Sequence, residues 1–83
     1  MCSEKTIIDL IAKSSGYKPD EISRDTNFDT DLSYDDLSMA ILISDIEEWL
    51  DICIFDEDMK GIYTVGQFVD YVQQQLNKKA GNE

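Results

Sequence analysis

Asp35 and Asp36 stand side by side where a polar loop gives way to the longest apolar run in the chain. Neighbouring carboxylates suggest three chemistries: a general acid–base pair, a cation site, or the cap of a helix. An acid–base pair must converge on one substrate, and adjacent helical residues do not face each other. No nucleophile accompanies the two acids. The chain has no His, which excludes His-based catalysis and histidine metal sites. Asp29, Asp31, Ser33 and Asp35 alternate as the early ligands of a calcium loop do. Yet Tyr34 falls where that loop needs Gly, and its twelfth position is Ala40 instead of Glu. No catalytic residue and no dedicated metal site are expected. The cap reading is the strongest. Asp35 can accept from the free N–H groups of a first turn, and Asp36, as the first helical residue, suits the helix dipole.

The helix that begins there is expected over Asp36 to Leu50 or Asp51. Its apolar set is wider than one face: Leu37, Met39, Ala40, Ile41, Leu42, Ile43, Ile46, Trp49 and Leu50. If Leu42, Ile46 and Leu50 face the core, with Ile43 and Trp49 beside them, a second stripe remains. It consists of Leu37, Ala40, Ile41 and Ser44, rimmed by Asp36, Asp45, Glu47 and Glu48. That stripe is either a docking surface or the part of the helix that a four-helix core covers. The pattern alone leaves both open.

The other elements follow from spacing and punctuation. Ser3 can cap a first helix carrying Ile7, Ile8, Leu10 and Ile11, which should stop at Gly16 in the left-handed position. A long connection runs from Tyr17 to Tyr34. Pro19-Asp20-Glu21 can start one helical turn that buries Ile22, and Phe28 and Leu32 interrupt the polar run as anchors to the core. Ile52 to Phe55 is a short apolar crossing, within which Cys53 reads as a buried small hydrophobe. Asp56-Glu57-Asp58 opens a short third helix ending near Gly61. Thr64 and Gln67 have the spacing of a capping box, and Tyr63 and Phe68 that of a hydrophobic staple. The last helix continues through Val69, Val72 and Leu76. Trp49 and the tyrosines are read as packing residues. The whole chain, 1–83, is expected to be one domain, with a core over about 3–77 and a loose tail over 78–83.

The residues around Asp36 also resemble a known site. Acyl carrier proteins read Asp-Leu-Gly-x-Asp-Ser-Leu-(Asp/Glu) where their prosthetic group is attached. Here Asp31, Leu32, Asp35 and Leu37 match, Ser33 stands where Gly is usual, and Ser38 where an acid is usual. Asp36 takes the place of the Ser. The likeness extends from about Ile7 to Leu76, through Glu47-Glu48, Ile54 before an acidic short helix, and the Thr64-Val65 start of the last helix. It implies an all-α, carrier-like four-helix bundle that is not an enzyme. In that family the Ser carries 4′-phosphopantetheine as a phosphodiester, whose thiol bears acyl groups. A carboxylate attacking phosphorus gives a labile acyl phosphate, so no arm is expected on Asp36. Ser38 lies about 200° around the helix from that site, and Ser33 lies in the loop before the cap, so neither is expected to substitute.

Composition limits the partners. Eighteen acids against seven bases give a net charge of −11 over 83 residues. From Asp20 to Asp58 there are fourteen acids and one base, Arg24. Nucleic acid and anionic membrane would repel such a surface. No apolar run approaches the roughly 20 residues of a membrane span. Two cysteines make no disulfide framework, and the polar N-terminus does not read as a signal peptide, so a reducing cytoplasm is expected; a monomer is expected as well. The expected partners are proteins with basic docking patches: synthase, ligase or transferase enzymes. Asp35, Asp36, Leu37, Ala40, Ile41, Ser44, Glu47 and Glu48 are the expected contact residues. Three explanations of Asp36 stand: a carrier homologue working without its arm, a carrier whose Ser was replaced, or an unrelated bundle. An acidic regulator that mimics a carrier is a further reading of function.

Overall fold

The computed structural model describes residues 4–79. Four helices occur in it: α1, Glu4–Ser15; α2, Asp36–Leu50; α3, Asp56–Met59; and α4, Val65–Lys79. A single 3-10 turn, Pro19–Glu21, interrupts the long connection between α1 and α2. No strand is formed among the described residues; one isolated antiparallel bridge joins Asn27 to Thr64. The all-α expectation therefore holds. The cap expected of Ser3 and the expected tail from residue 80 onward lie outside the described part. α4 ends at Lys79.

Local chemistry explains most boundaries. Gly16 ends α1 at φ 84, where its N–H bonds the Ala12 carbonyl at 2.9 Å. The turn at Pro19 buries Ile22 to 6% exposure. The capping box closes as its spacing requires. Gln67 N–H donates to Thr64 Oγ1 at 3.3 Å, and the Gln67 side-chain oxygen accepts from Thr64 N–H at 3.1 Å. The staple is lopsided: Phe68 is fully buried, but Tyr63 remains 62% exposed.

α1 packs against both α2 and α4. Ile7 and Ile11 of α1, Leu42 and Ile46 of α2, and Val65, Phe68, Val69 and Val72 of α4 lose all their exposure. The long loop completes this core from outside. Phe28 inserts edge-on between Tyr34 and Phe68, with centroid separations of 5.5 and 5.7 Å. Leu32 follows it to 6% exposure. Three backbone bonds then lash the loop to the start of α4. Phe28 N–H donates to the Tyr63 carbonyl at 3.0 Å, Val65 N–H to Thr26 at 2.9 Å, and Gly66 N–H to Arg24 at 2.9 Å. A loop this long is ordered because its backbone groups and apolar anchors are spent on the bundle.

Two packing expectations are corrected. Cys53 is exposed, not buried. Along Ile52 to Phe55, which is neither helix nor strand, burial alternates with the period of an extended chain: Ile52 and Ile54 are buried, Cys53 and Phe55 exposed. Trp49 is 67% exposed, and Tyr17 and Tyr63 also face out, whereas Tyr34 is buried in the core and Tyr71 packs half-buried against it, as expected.

Candidate functional site

The start of α2 is built by its cap. Asp35 is extended, and its carboxylate accepts the Ser38 N–H at 2.8 Å. That bond, with help from the Ser38 hydroxyl, holds the Asp35 carboxyl below the usual carboxylate range. Ser38 is thereby engaged locally. Just upstream, Ser33 adopts φ 57, a left-handed conformation that glycine takes without strain. The loop before it is closed by its own polar groups. Asn27 N–H donates to Asp31 at 2.8 Å, and the Asn27 side-chain oxygen accepts from Asp29 at 2.8 Å and Thr30 at 3.1 Å. The alternating acids are used as turn residues.

Behind the cap, Tyr34 turns inward. Its hydroxyl donates to the Ile11 carbonyl at 3.2 Å and pairs with the Ser14 hydroxyl. Burial raises its pKa, against the lowering effect of the Ser14 bond. The loop is thus pinned to the end of α1, and α2 starts from a fixed point.

Asp36 follows as the first helical residue and is exposed. Beside it opens a cleft of about 290 Å³, lined by Phe28, Tyr34, Met39, Ile43, Met59 and Ile62 among others. α3 forms one wall, and Tyr71 secures it. The Tyr71 hydroxyl donates to Asp58 at 2.8 Å and accepts the Phe55 N–H at 3.3 Å.

The expected contact residues fall on one exposed surface. Leu37 is 69% exposed and Ile41 50%, while Asp35, Asp36, Ala40, Ser44 and Glu48 are exposed beside them. Leu42 and Ile46, on the opposite side of α2, are wholly buried. Glu47 differs from the rest: it is half-buried, and its carboxylate accepts the Ile54 N–H at 2.9 Å. Two features escaped the sequence reading. One is the exposure of Trp49. The other is Arg24, which bonds Glu4 at 2.7 Å and Asp70 at 2.8 Å, joining the loop to α1 and α4. Asp70 is the first cause of the raised Arg24 pKa and Glu4 the second. No sequence signal links residues so far apart.

The described residues contain no helix long and apolar enough to cross a membrane. As for the arm of the resembling family, the donor at residue 36 is a carboxylate, which does not make the stable phosphodiester that a hydroxyl makes. The local residues therefore do not fit that group.

Comparison with known proteins agrees with the helical bundle and its element order. The family model described as "Phosphopantetheine attachment site" matches residues 5–72. The chain is 35% identical over 78 residues to the acyl carrier protein of Kineococcus radiotolerans, covering 89% of this chain and 96% of the relative. It is 33% identical over 79 residues to the acyl carrier protein of Exiguobacterium sibiricum, covering 92% and 100%. It is 37% identical over 70 residues to that of Clostridium perfringens, covering 84% and 92%. With a helical bundle, a capped α2 and similarity across nearly its whole length, this chain belongs to the acyl carrier protein family, whose members are carriers and not enzymes.

Proposed function

We propose that this domain works by protein–protein contact, without an arm on residue 36. It docks synthase, ligase or transferase partners through the start and exposed face of α2. Asp35, Asp36 and Glu48 steer basic patches, with Glu47 contributing charge, while Leu37, Ala40, Ile41 and Ser44 supply the contact surface. The supporting observation is the position of Asp36: an exposed carboxylate at the head of an exposed apolar stripe. Its charge would repel an incoming diphosphate and complement a basic patch instead. The net charge of −11 disfavours nucleic acid and anionic membrane as partners, and self-association likewise.

The test is intact mass after incubation with a phosphopantetheinyl transferase and coenzyme A. The expected result is an unchanged mass; an added pantetheine arm would overturn the reading. A second reading is favoured by the relatives, which are named acyl carrier proteins over nearly all of this chain. In it, the domain is a carrier whose Ser at residue 36 was replaced. Efficient modification of Asp36→Ser supports that alternative, and its failure supports the armless domain.

A further inference from the structure

Trp49 exposes two-thirds of its surface although α2 has a complete core face without it. At 100° per residue, the exposed face of α2 runs from Ala40 through Leu37 and Ile41 to Asp45 and Trp49. Trp49 therefore sits at the edge nearest α1. There the two helices enclose an open groove of about 630 Å³. Leu10, Lys13 and Ser14 of α1 form one side, and Ile41, Asp45, Glu48 and Trp49 of α2 the other. Trp49 is 67% and Ile41 50% exposed. Leu10 is half-buried and lies against the core, so the groove has an apolar floor, an aromatic end wall and acids on its α2 rim.

We propose that this groove seats an amphipathic helix of a partner protein, with apolar residues on one face flanked by Lys or Arg. The inference deepens the docking function above and rests on it: the contact extends past α2 onto α1, with Trp49 as its anchor. Charge selects the occupant. At the rim Asp45 and Glu48 outnumber Lys13, and α2 lies within a stretch of fourteen acids and one base. That base, Arg24, is already paired with Glu4 and Asp70. A second copy of the chain, also at −11, or an anionic bilayer would be repelled. A basic helix is attracted, and its apolar face can cover Trp49 and Ile41 as helix-in-groove recognition does. An exposed Trp flanked by charge is the residue type that most often dominates such binding.

Trp49 is the single tryptophan of the chain, so its emission reports the groove directly. The probe is a synthetic helical peptide with a Leu face flanked by Lys, compared with a scrambled peptide of equal composition and charge. Tight binding of the amphipathic peptide is expected, with a saturable blue shift of Trp49 emission. Followed by anisotropy of labelled peptide, Trp49→Ala should weaken binding about tenfold, whereas Gln74→Ala, exposed on α4 away from the groove, should leave it within about twofold. Equal binding of the scrambled peptide, or an unmoved Trp49 emission at saturation, overturns the groove. So does a blue shift on raising protein concentration alone, which assigns the face to a second copy. Loss of binding in Ala40→Arg with none in Trp49→Ala also overturns it, while leaving the docking of partners through the forward face of α2 intact.

Discussion

The carboxylate of Glu47 accepts the backbone N–H of Ile54 at 2.9 Å. Glu47 thus serves the fold as well as the charged face. The backbone of α2 ends close by, with Asp51 left-handed at φ 55 and its N–H on the Glu47 carbonyl. One residue thus accepts along the whole exit from α2: its carbonyl from Asp51 and Ile52, its side chain from Ile54.

Glu47 and Glu48 should therefore separate. Glu47→Ala leaves the half-buried Ile54 N–H without its acceptor and should lower stability by about 1 kcal/mol, read as a lower denaturant midpoint. Glu48→Ala should leave stability unchanged, yet weaken binding to a basic partner at low salt. The difference between wild type and Glu48→Ala should shrink as salt is raised. Binding indifferent to both salt and Glu48 would count against electrostatic docking.

Gly66 carries a tight constraint. A Cβ there would lie 3.0 Å from the Cβ and 3.0 Å from the carbonyl oxygen of Arg24. The Gly66 N–H donates to that same carbonyl, so the loop cannot retreat without losing the bond. Gly66→Ala should destabilise by about 1–3 kcal/mol, despite the higher helix propensity of Ala. Arg24→Ala should lower the thermal midpoint as well, through loss of its bonds to Glu4 and Asp70. Its effect should diminish in high salt, whereas that of Gly66→Ala should not, because one is screened and the other steric.

Ser33 invites the opposite change. At φ 57 its Cβ meets the strain that an L-residue has in the left-handed region. Ser33→Gly should raise stability by up to about 1 kcal/mol, the strain relief being partly offset by the greater freedom of Gly in the unfolded chain. An unfolding curve displaced to lower denaturant would show that this strain is absent.

The Asp35 cap should be visible in pH. Its carboxyl is held below the ordinary value by the Ser38 N–H. A depressed folded pKa adds stability at pH above the unfolded value near 4, and that stability is lost as pH falls through the folded value. The thermal midpoint of Asp35→Ala should lie below wild type at pH 6–7. The two should converge as the pH drops below about 4. A gap constant down to pH 2 would mean that the charge of Asp35 is not what caps α2.

The sequence by itself determined what neighbours in the chain decide. The cap at Asp35, the stop at Gly16, the turn at Pro19, the Thr64–Gln67 box and the limits of α2 all depend on groups within a few residues of one another, and composition records such groups directly. Phe28 and Leu32 were legible as anchors because an apolar side chain in a polar run has little else to do. The second stripe of α2 was legible too, though not whether anything covers it. Only the tertiary structure decided that Trp49 and Cys53 face out, that Glu47 reaches Ile54, and that Arg24 ties three segments together across Gly66. Burial depends on what distant elements lay over a residue, and bonds between remote segments form only after the bundle has brought them near; neither leaves a periodic trace in the chain.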